Sequence, residues 1–285
     1  MKLIFFRKLI FFLFTLFSLT SLCYGQQNKK NKESPFELNL FADTAIFTIG
    51  AAETFTSLLI PKIYNFEKRA DNLQHDLDDL NSAERKFARQ YSKALDLSGD
   101  VACGAGLVFP AGVFAAAYLN KSLSGNELVK TAVMYAQSFL LTQGTSGLLK
   151  MAVLRTRPFM YFDNWEEAGA ENGDAHFSFP SSHVADTFCA ATFVSYTFWQ
   201  YFPDSKWKWG VIASSYTIAA GTGILRVLSG NHFPTDLLAG AAIGSFFGFA
   251  VPFVHKKIIP ALNNKDKGLT SINAGINSLS FTFKF

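Results

Sequence analysis

The amino-acid sequence predicts an all-α multi-helix bundle embedded in a membrane. Only 17% of the 285 residues are charged while 49% are hydrophobic, and the charged share is below the ~25% usual for soluble domains. The apolar residues gather into blocks at Thr44–Ile60, Val101–Leu119, Val129–Leu149, Val184–Phe202, Trp209–Leu228 and Leu237–Val254. Each approaches the ~20 residues that cross a bilayer at 1.5 Å per residue. So many Phe, Leu, Ile and Val residues exclude disorder. The 3 cysteines, Cys23, Cys103 and Cys189, are too few for a disulfide-built scaffold.

The first element is a leader. Lys2, Arg7 and Lys8 precede an almost unbroken apolar run, Leu9–Leu22, and Cys23-Tyr24-Gly25 then puts small residues where a signal peptidase reads. This layout predicts a secretory signal over residues 1–25, with an uncleaved membrane anchor as the alternative. A lipoprotein site at Cys23 is disfavoured by bulky Leu22. No internal repeat or long linker follows, so residues 26–285 form a single domain.

Thr44–Ile60 contains Glu53, and Val129–Leu149 contains Gln137 and Gln143. Gly and Ala dominate Val101–Leu119 and Leu237–Val254, as expected where helices pack closely in lipid. Buried helices of a soluble bundle are the competing reading of the same blocks. Between the first two lies a polar stretch, Pro61 to Asp100. Here Asn81 and Glu84 predict a reciprocally capped helix, whose Phe87, Tyr91, Ala94 and Leu95 form an amphipathic stripe. His75 among Asp71, Asp76, Asp78 and Asp79 matches no standard metal loop and is read as part of a solvated face. The tail Leu279–Phe285 alternates like a half-buried strand, and Phe36–Leu40 is its candidate partner. Cys103 and Cys189 are read as buried small hydrophobes. Arg155, His176 and His255 are read as structural or solvent-exposed.

Three clusters combine cations, hydroxyls and histidine. In the first, Lys150 and Arg157 stand seven apart, nearly two helical turns, so they can share a face. Pro158 directly after Arg157 marks an exit from helix. In the second, Pro180-Ser181-Ser182-His183 opens an apolar helix, whose free N–H groups suit an anion, with a hydroxyl and an imidazole beside them. In the third, Arg226 precedes His232 and Asp236, whose four-residue spacing allows a His–carboxylate hydrogen bond. Such a bond fixes the imidazole tautomer and suits a nucleophile or base.

In this order, Lys-x6-Arg-Pro, Pro-Ser-x-His and Arg-x5-His-x3-Asp resemble the tripartite signature of the type-2 phosphatidic acid phosphatase superfamily. That superfamily takes in lipid phosphate phosphatases, secreted acid phosphatases and vanadium haloperoxidases. The matched stretch, Lys150 to Asp236, covers under a third of the chain. Ser182 replaces a usual Gly, and Leu225 replaces a usual Ser. The resemblance implies a helical bundle and metal-free hydrolysis of a phosphate monoester or pyrophosphate, with no cofactor. His232 would be the nucleophile, Asp236 its orienting group and His183 the proton donor. Lys150, Arg157, Arg226, Ser181 and the N–H groups of Ser182 and His183 would hold the phosphate.

The substrate implied is a phosphorylated lipid if the helices span a membrane, or a small phosphoester if the protein is a soluble periplasmic acid phosphatase. A non-catalytic lipid-binding or transport relative is the other class. Nucleic acid is not an expected partner: without Met1–Gly25 the formal charge of +4 loses Lys2, Arg7 and Lys8 and no acid, leaving +1. With the clusters outside the cytoplasm, Lys121, Lys206, Lys208, Lys256, Lys257, Lys265 and Lys267 all lie inside, in keeping with the positive-inside tendency.

Overall fold

The computed structural model describes residues 34–63, 75–168 and 174–264, and the backbone of 268–275 and 278–284. The leader, within residues 1–33, and Asp71 lie outside the described residues. Each predicted block is a helix: α1 (Leu40–Ile63), α3 (Lys93–Leu119), α4 (Gly125–Val153), α5 (Ser182–Tyr201), α6 (Trp207–Leu228) and α7 (Pro234–Lys257). Two short helices, α2 (Ser82–Arg85) and α8 (Ile259–Asn263), accompany them. The bundle is thus all-α, with one antiparallel ribbon after it, β1 (Gly268–Gly275) paired to β2 (Ser278–Lys284).

Helix starts follow the local sequence. Asn39 caps α1, its Oδ1 accepting from Ala42 N at 3.0 Å while Asp43 Oδ2 accepts from Asn39 N at 2.9 Å. Ser124 and Glu127 form a reciprocal capping box at the head of α4, satisfying amides that have no intrahelical acceptor. α1 runs parallel to α4, since Asp43 meets Gln137 and Glu53 meets Gly144 and Thr145. α5 packs against α3, α4, α6 and α7 and forms the centre of the bundle. As a result α1, α4 and α6 end, and α3, α5 and α7 begin, at one end of the molecule.

Among the described residues, four helical stretches are long and apolar enough to cross a membrane: Leu40–Pro61, Lys93–Leu119, Trp207–Leu228 and Pro234–Asn263. Their outward sides carry exposed apolar side chains, among them Val101, Val108, Trp207, Leu238 and Phe246. Exposed apolar side chains on helices of this length suit a lipid-facing surface. The more polar α4 and α5 keep Gln137, Ser138, Thr142 and Ser146, and Asp186 and Thr187, buried between helices. Cys103 and Cys189 are buried free thiols, as read from the sequence.

The Phe36–Leu40 segment departs from its expected pairing. Leu40 opens α1, and Phe36 is a fully buried plug, edge-on to Tyr201 at 5.2 Å. The tail strand pairs with Gly268–Gly275 instead, because a partner adjacent in sequence closes at little entropic cost. Both ends of the bundle nevertheless meet, with Glu37 N donating to His255 O at 3.1 Å and Asn39 Nδ2 to Asn263 Oδ1 at 2.7 Å. They do so at the end away from the three clusters.

The reciprocal cap and long stripe after Asn81 also differ from expectation. Asn81 Oδ1 accepts from Ala83 N and Glu84 N, but α2 stops at Arg85 and the Glu84 side chain pairs with Arg155. The chain then presses on the turn after α6. Ser92 N donates to Ser229 O at 3.2 Å, and a Cβ on Gly230 (φ +78) would lie 2.6 Å from Arg89 O. Those contacts pull residues 86–92 out of helix, and Leu80 and Ala88 cover Phe233, next to His232.

Candidate active site

The first cluster straddles a helix end. Lys150 lies in the last turn of α4, Leu154 takes a left-handed conformation (φ 50°) that stops the helix, and Arg157 is extended before Pro158. Lys150 and Arg157 therefore do not share a helical face; the turn brings them together. Lys150 Nζ donates to Phe177 O at 2.6 Å. Arg157, buried, donates from Nη1 to Asn231 O and Oδ1, both at 3.2 Å, and lies 3.4 Å from His232 Nε2.

The second cluster heads α5. Ser181 occupies the cap position with its Oγ buried and without a partner among the described residues, and its N–H donates to Asp236 O at 3.1 Å. The amides of Ser182 and His183 follow in the first turn, where no carbonyl precedes them in the helix. His183 Nε2 lies 2.9 Å from Asp100 Oδ1. Since a carboxylate only accepts, Nε2 carries the proton. Burial and the charge of Arg226 pull His183 down to about 4, against the pull of Asp100.

The third cluster closes the site from α6 and α7. Arg226, on the last turn of α6, donates from Nη1 to Asp96 Oδ1 at 2.6 Å and Asp100 Oδ1 at 3.1 Å. His232 and Asp236 are almost fully buried. The direct bond between them that the spacing allows is not made: Nδ1 and Oδ2 are 3.7 Å apart. Ser178 stands between them instead. Its carbonyl accepts from His232 Nδ1 at 2.7 Å, and its Oγ donates to Asp236 Oδ2 at 2.6 Å. Asp236 Oδ2 also takes Phe233 N at 2.8 Å, because the turn entering α7 points that amide inward.

These bonds fix the state of the His232 ring. A carbonyl accepts only, so the His232 proton sits on Nδ1 and Nε2 keeps its lone pair. Burial, then Arg157, Lys150 and Arg226, hold His232 well below its ordinary value, which keeps the ring neutral. Three residues outside the motif, Arg155, Asp96 and Asp100, complete the site. Arg155 pairs with both Asp236 and Glu84 and lies 4.5 Å over the Phe233 ring. Asp96, held by Tyr91 OH at 2.8 Å and Asn231 Nδ2 at 2.9 Å, anchors Arg226. Asp96 and Asp100 lie more than 80 residues from Arg226, Asn231 and His183, so no spacing in the sequence points to them. His255 lies apart from these groups, bonding Glu37 O and Gln137 at the far end, while His176 Nδ1 lies 3.3 Å from the Oγ1 of Thr156, the residue between Arg155 and Arg157.

The model of the PAP2 superfamily matches residues 131–260. A lipid A 1-phosphatase of Porphyromonas gingivalis is 36% identical over 27% of this chain and 16% of its own length. Phosphatidylglycerophosphatase B of Bacillus subtilis is 36% identical over 30% of this chain and 42% of its own length. A lipid A 4'-phosphatase of Bacteroides thetaiotaomicron is 29% identical over 47% of this chain and 60% of its own. The chain therefore spans less than two thirds of each of these relatives. A solved transmembrane PAP2-type phosphatidylglycerolphosphate phosphatase from Bacillus subtilis aligns with 59% of this chain and 89% of its own, at 24% identity and a TM-score of 0.28. Residues 131–260, the stretch that the PAP2 superfamily model matches, hold Lys150, Arg157, Ser181, Ser182, His183, Arg226, His232 and Asp236 together.

Proposed function

We propose that this protein is a metal-independent phosphatase of a phosphorylated membrane lipid and works through a phosphohistidine on His232. The observation that carries the reading is the state of His232. Its Nδ1 proton is committed to Ser178 O, and its Nε2 lone pair lies where Lys150, Arg157 and Arg226 converge. A neutral imidazole surrounded by cations is a nucleophile aimed at an anion.

In this reading Nε2 attacks phosphorus in line. The P–O bond to the leaving group breaks as the P–N bond forms. The three cations and the first amides of α5 hold the equatorial oxygens, and their fixed charge supplies most of the barrier lowering. His183 gives its proton to the leaving oxygen, the negative substrate beside it favouring the protonated ring. It then takes a proton from the water that breaks P–N, releasing inorganic phosphate and restoring His232. Asp236 steadies the imidazole through Ser178 and balances Arg155.

The exposed apolar side chains of the long helices and the lipid phosphatases among the relatives support a lipid substrate, with lipid A and phosphatidylglycerophosphate the first to test. The test uses detergent-solubilised protein with lipid A, phosphatidylglycerophosphate, phosphatidate and a polyprenyl pyrophosphate, measuring released phosphate. His232→Ala is expected to lose at least about 10³-fold in kcat with the fold retained. Undiminished turnover in that variant would falsify the assignment. Rapid acid-free quenching with labelled substrate should trap an acid-labile phosphoprotein that the variant lacks.

A further inference from the structure

We propose that Asp100 is a built-in competitor for the phosphate-binding donors, a positioning residue that sets how tightly the site holds phosphate. The inference rests on the phosphatase reading above. In the structure one oxygen, Asp100 Oδ1, accepts from His183 Nε2 at 2.9 Å and from Arg226 Nη1 at 3.1 Å. Those are the donors that a phosphate and its leaving oxygen require. A carboxylate oxygen shared between a guanidinium and an imidazole mimics the charge and spacing of a phosphate oxygen.

The neighbouring Asp96 shows why Asp100 is the exchangeable one. Asp96 is bonded on both oxygens, Oδ1 by Arg226 and Asn231, and Oδ2 by Tyr91, and its side chain is 22% exposed. It anchors Arg226 from behind. Asp100, one helical turn further along α3, has a side chain 52% exposed and, among the described residues, bonds these two site groups alone. Releasing them returns its carboxylate to water, so exchange for phosphate costs little. The backbone favours this arrangement: a Cβ on Gly99 would lie 3.1 Å from Arg226 Cδ, so the glycine lets the guanidinium lie against α3 beside both acids.

For the enzyme, the carboxylate weakens product retention. Inorganic phosphate must leave three cations and a helix end, and Asp100 is the group that takes His183 and Arg226 back. Removing its charge should tighten phosphate binding and slow release, so KM and kcat fall together.

The test measures the dissociation constant of inorganic phosphate for the purified full chain in detergent, by calorimetry, alongside turnover of a soluble aryl phosphate. Asp100→Asn is expected to bind phosphate about five- to tenfold more tightly and to show lower KM and kcat. Asp100→Glu, which restores the charge, is expected to return both towards wild type. An unchanged or weaker phosphate affinity in Asp100→Asn overturns the proposal, because a merely structural residue would loosen the site when replaced. Absence of phosphate binding in both wild type and Asp100→Asn overturns it too. If the wild type hydrolyses none of the esters yet the affinities shift as expected, the phosphatase reading fails and the role of Asp100 stands.

Discussion

At the residue scale the site depends on how buried charges are paired. Asp236 is fully buried and accepts from Ser178, Phe233 N and Arg155. Arg155→Ala would leave that carboxylate without its cation, and breaking a buried pair costs about 3 kcal/mol. A thermal melt should fall, and kcat should fall more than KM rises, because Asp236 steadies His232 only through Ser178. Protonation gives a second expectation. His232 in the folded protein lies well below 6.5 and His183 is near 4. An unfolded histidine takes its proton near pH 6.5. Below that pH the unfolded state binds more protons, so stability falls as pH drops from about 6.5 towards 4. His232→Ala should flatten this decline in melting temperature, and an equal decline in both proteins would count against a neutral buried His232.

At the element scale, α7 carries Gly240, Gly244 and Gly248, one per turn, against the backbone of α5. A Cβ on Gly244 would lie 1.9 Å from Ala185 O, and one on Gly240 would lie 2.5 Å from Ser181 O. This close approach sets the head of α5, with Ser181 and His183, beside Asp236. Gly244→Ala should therefore cost roughly 1–3 kcal/mol in stability and most of the activity, though it stands two turns from the chemistry. Unaltered kinetics in that variant would mean the helices can part without disturbing the site. The glycine-rich block was legible in the sequence as a close-packing helix, and so were all six helical blocks, because burial demands long apolar runs. The motif residues were legible because their order along the chain is fixed. Asp100, Asp96 and Arg155 were not: each is an ordinary charged residue whose partner comes from a distant element. The Phe87–Leu95 stripe failed for the opposite reason. Its local period was sound, but contacts with Gly230 and Ser229 outweighed a single short helix.

At the scale of the whole molecule, the direction of the helices makes a claim about sides. The three clusters lie at one end, while Lys121, Lys206, Lys208 and Lys256 lie at the other, together with Glu37 and Asn263. If the bundle spans the membrane, those ends face opposite compartments. The lysines on the far links favour that end inside and the site outside, whereas a cleaved leader would deliver the start of α1, and so the lysine end, to the outer face. The site end also carries Arg85, Lys86 and Arg89, so labelling rather than counting has to decide. Lys86 and Lys206 are exposed at opposite ends, and single cysteines placed there report one side each. With a membrane-impermeant maleimide, Lys86→Cys is expected to react in intact cells and Lys206→Cys only after permeabilisation. The reverse pattern would turn the site towards the cytoplasm and support leader cleavage. Reaction of both without permeabilisation would leave no barrier between the two ends, and the transmembrane arrangement would have to be abandoned.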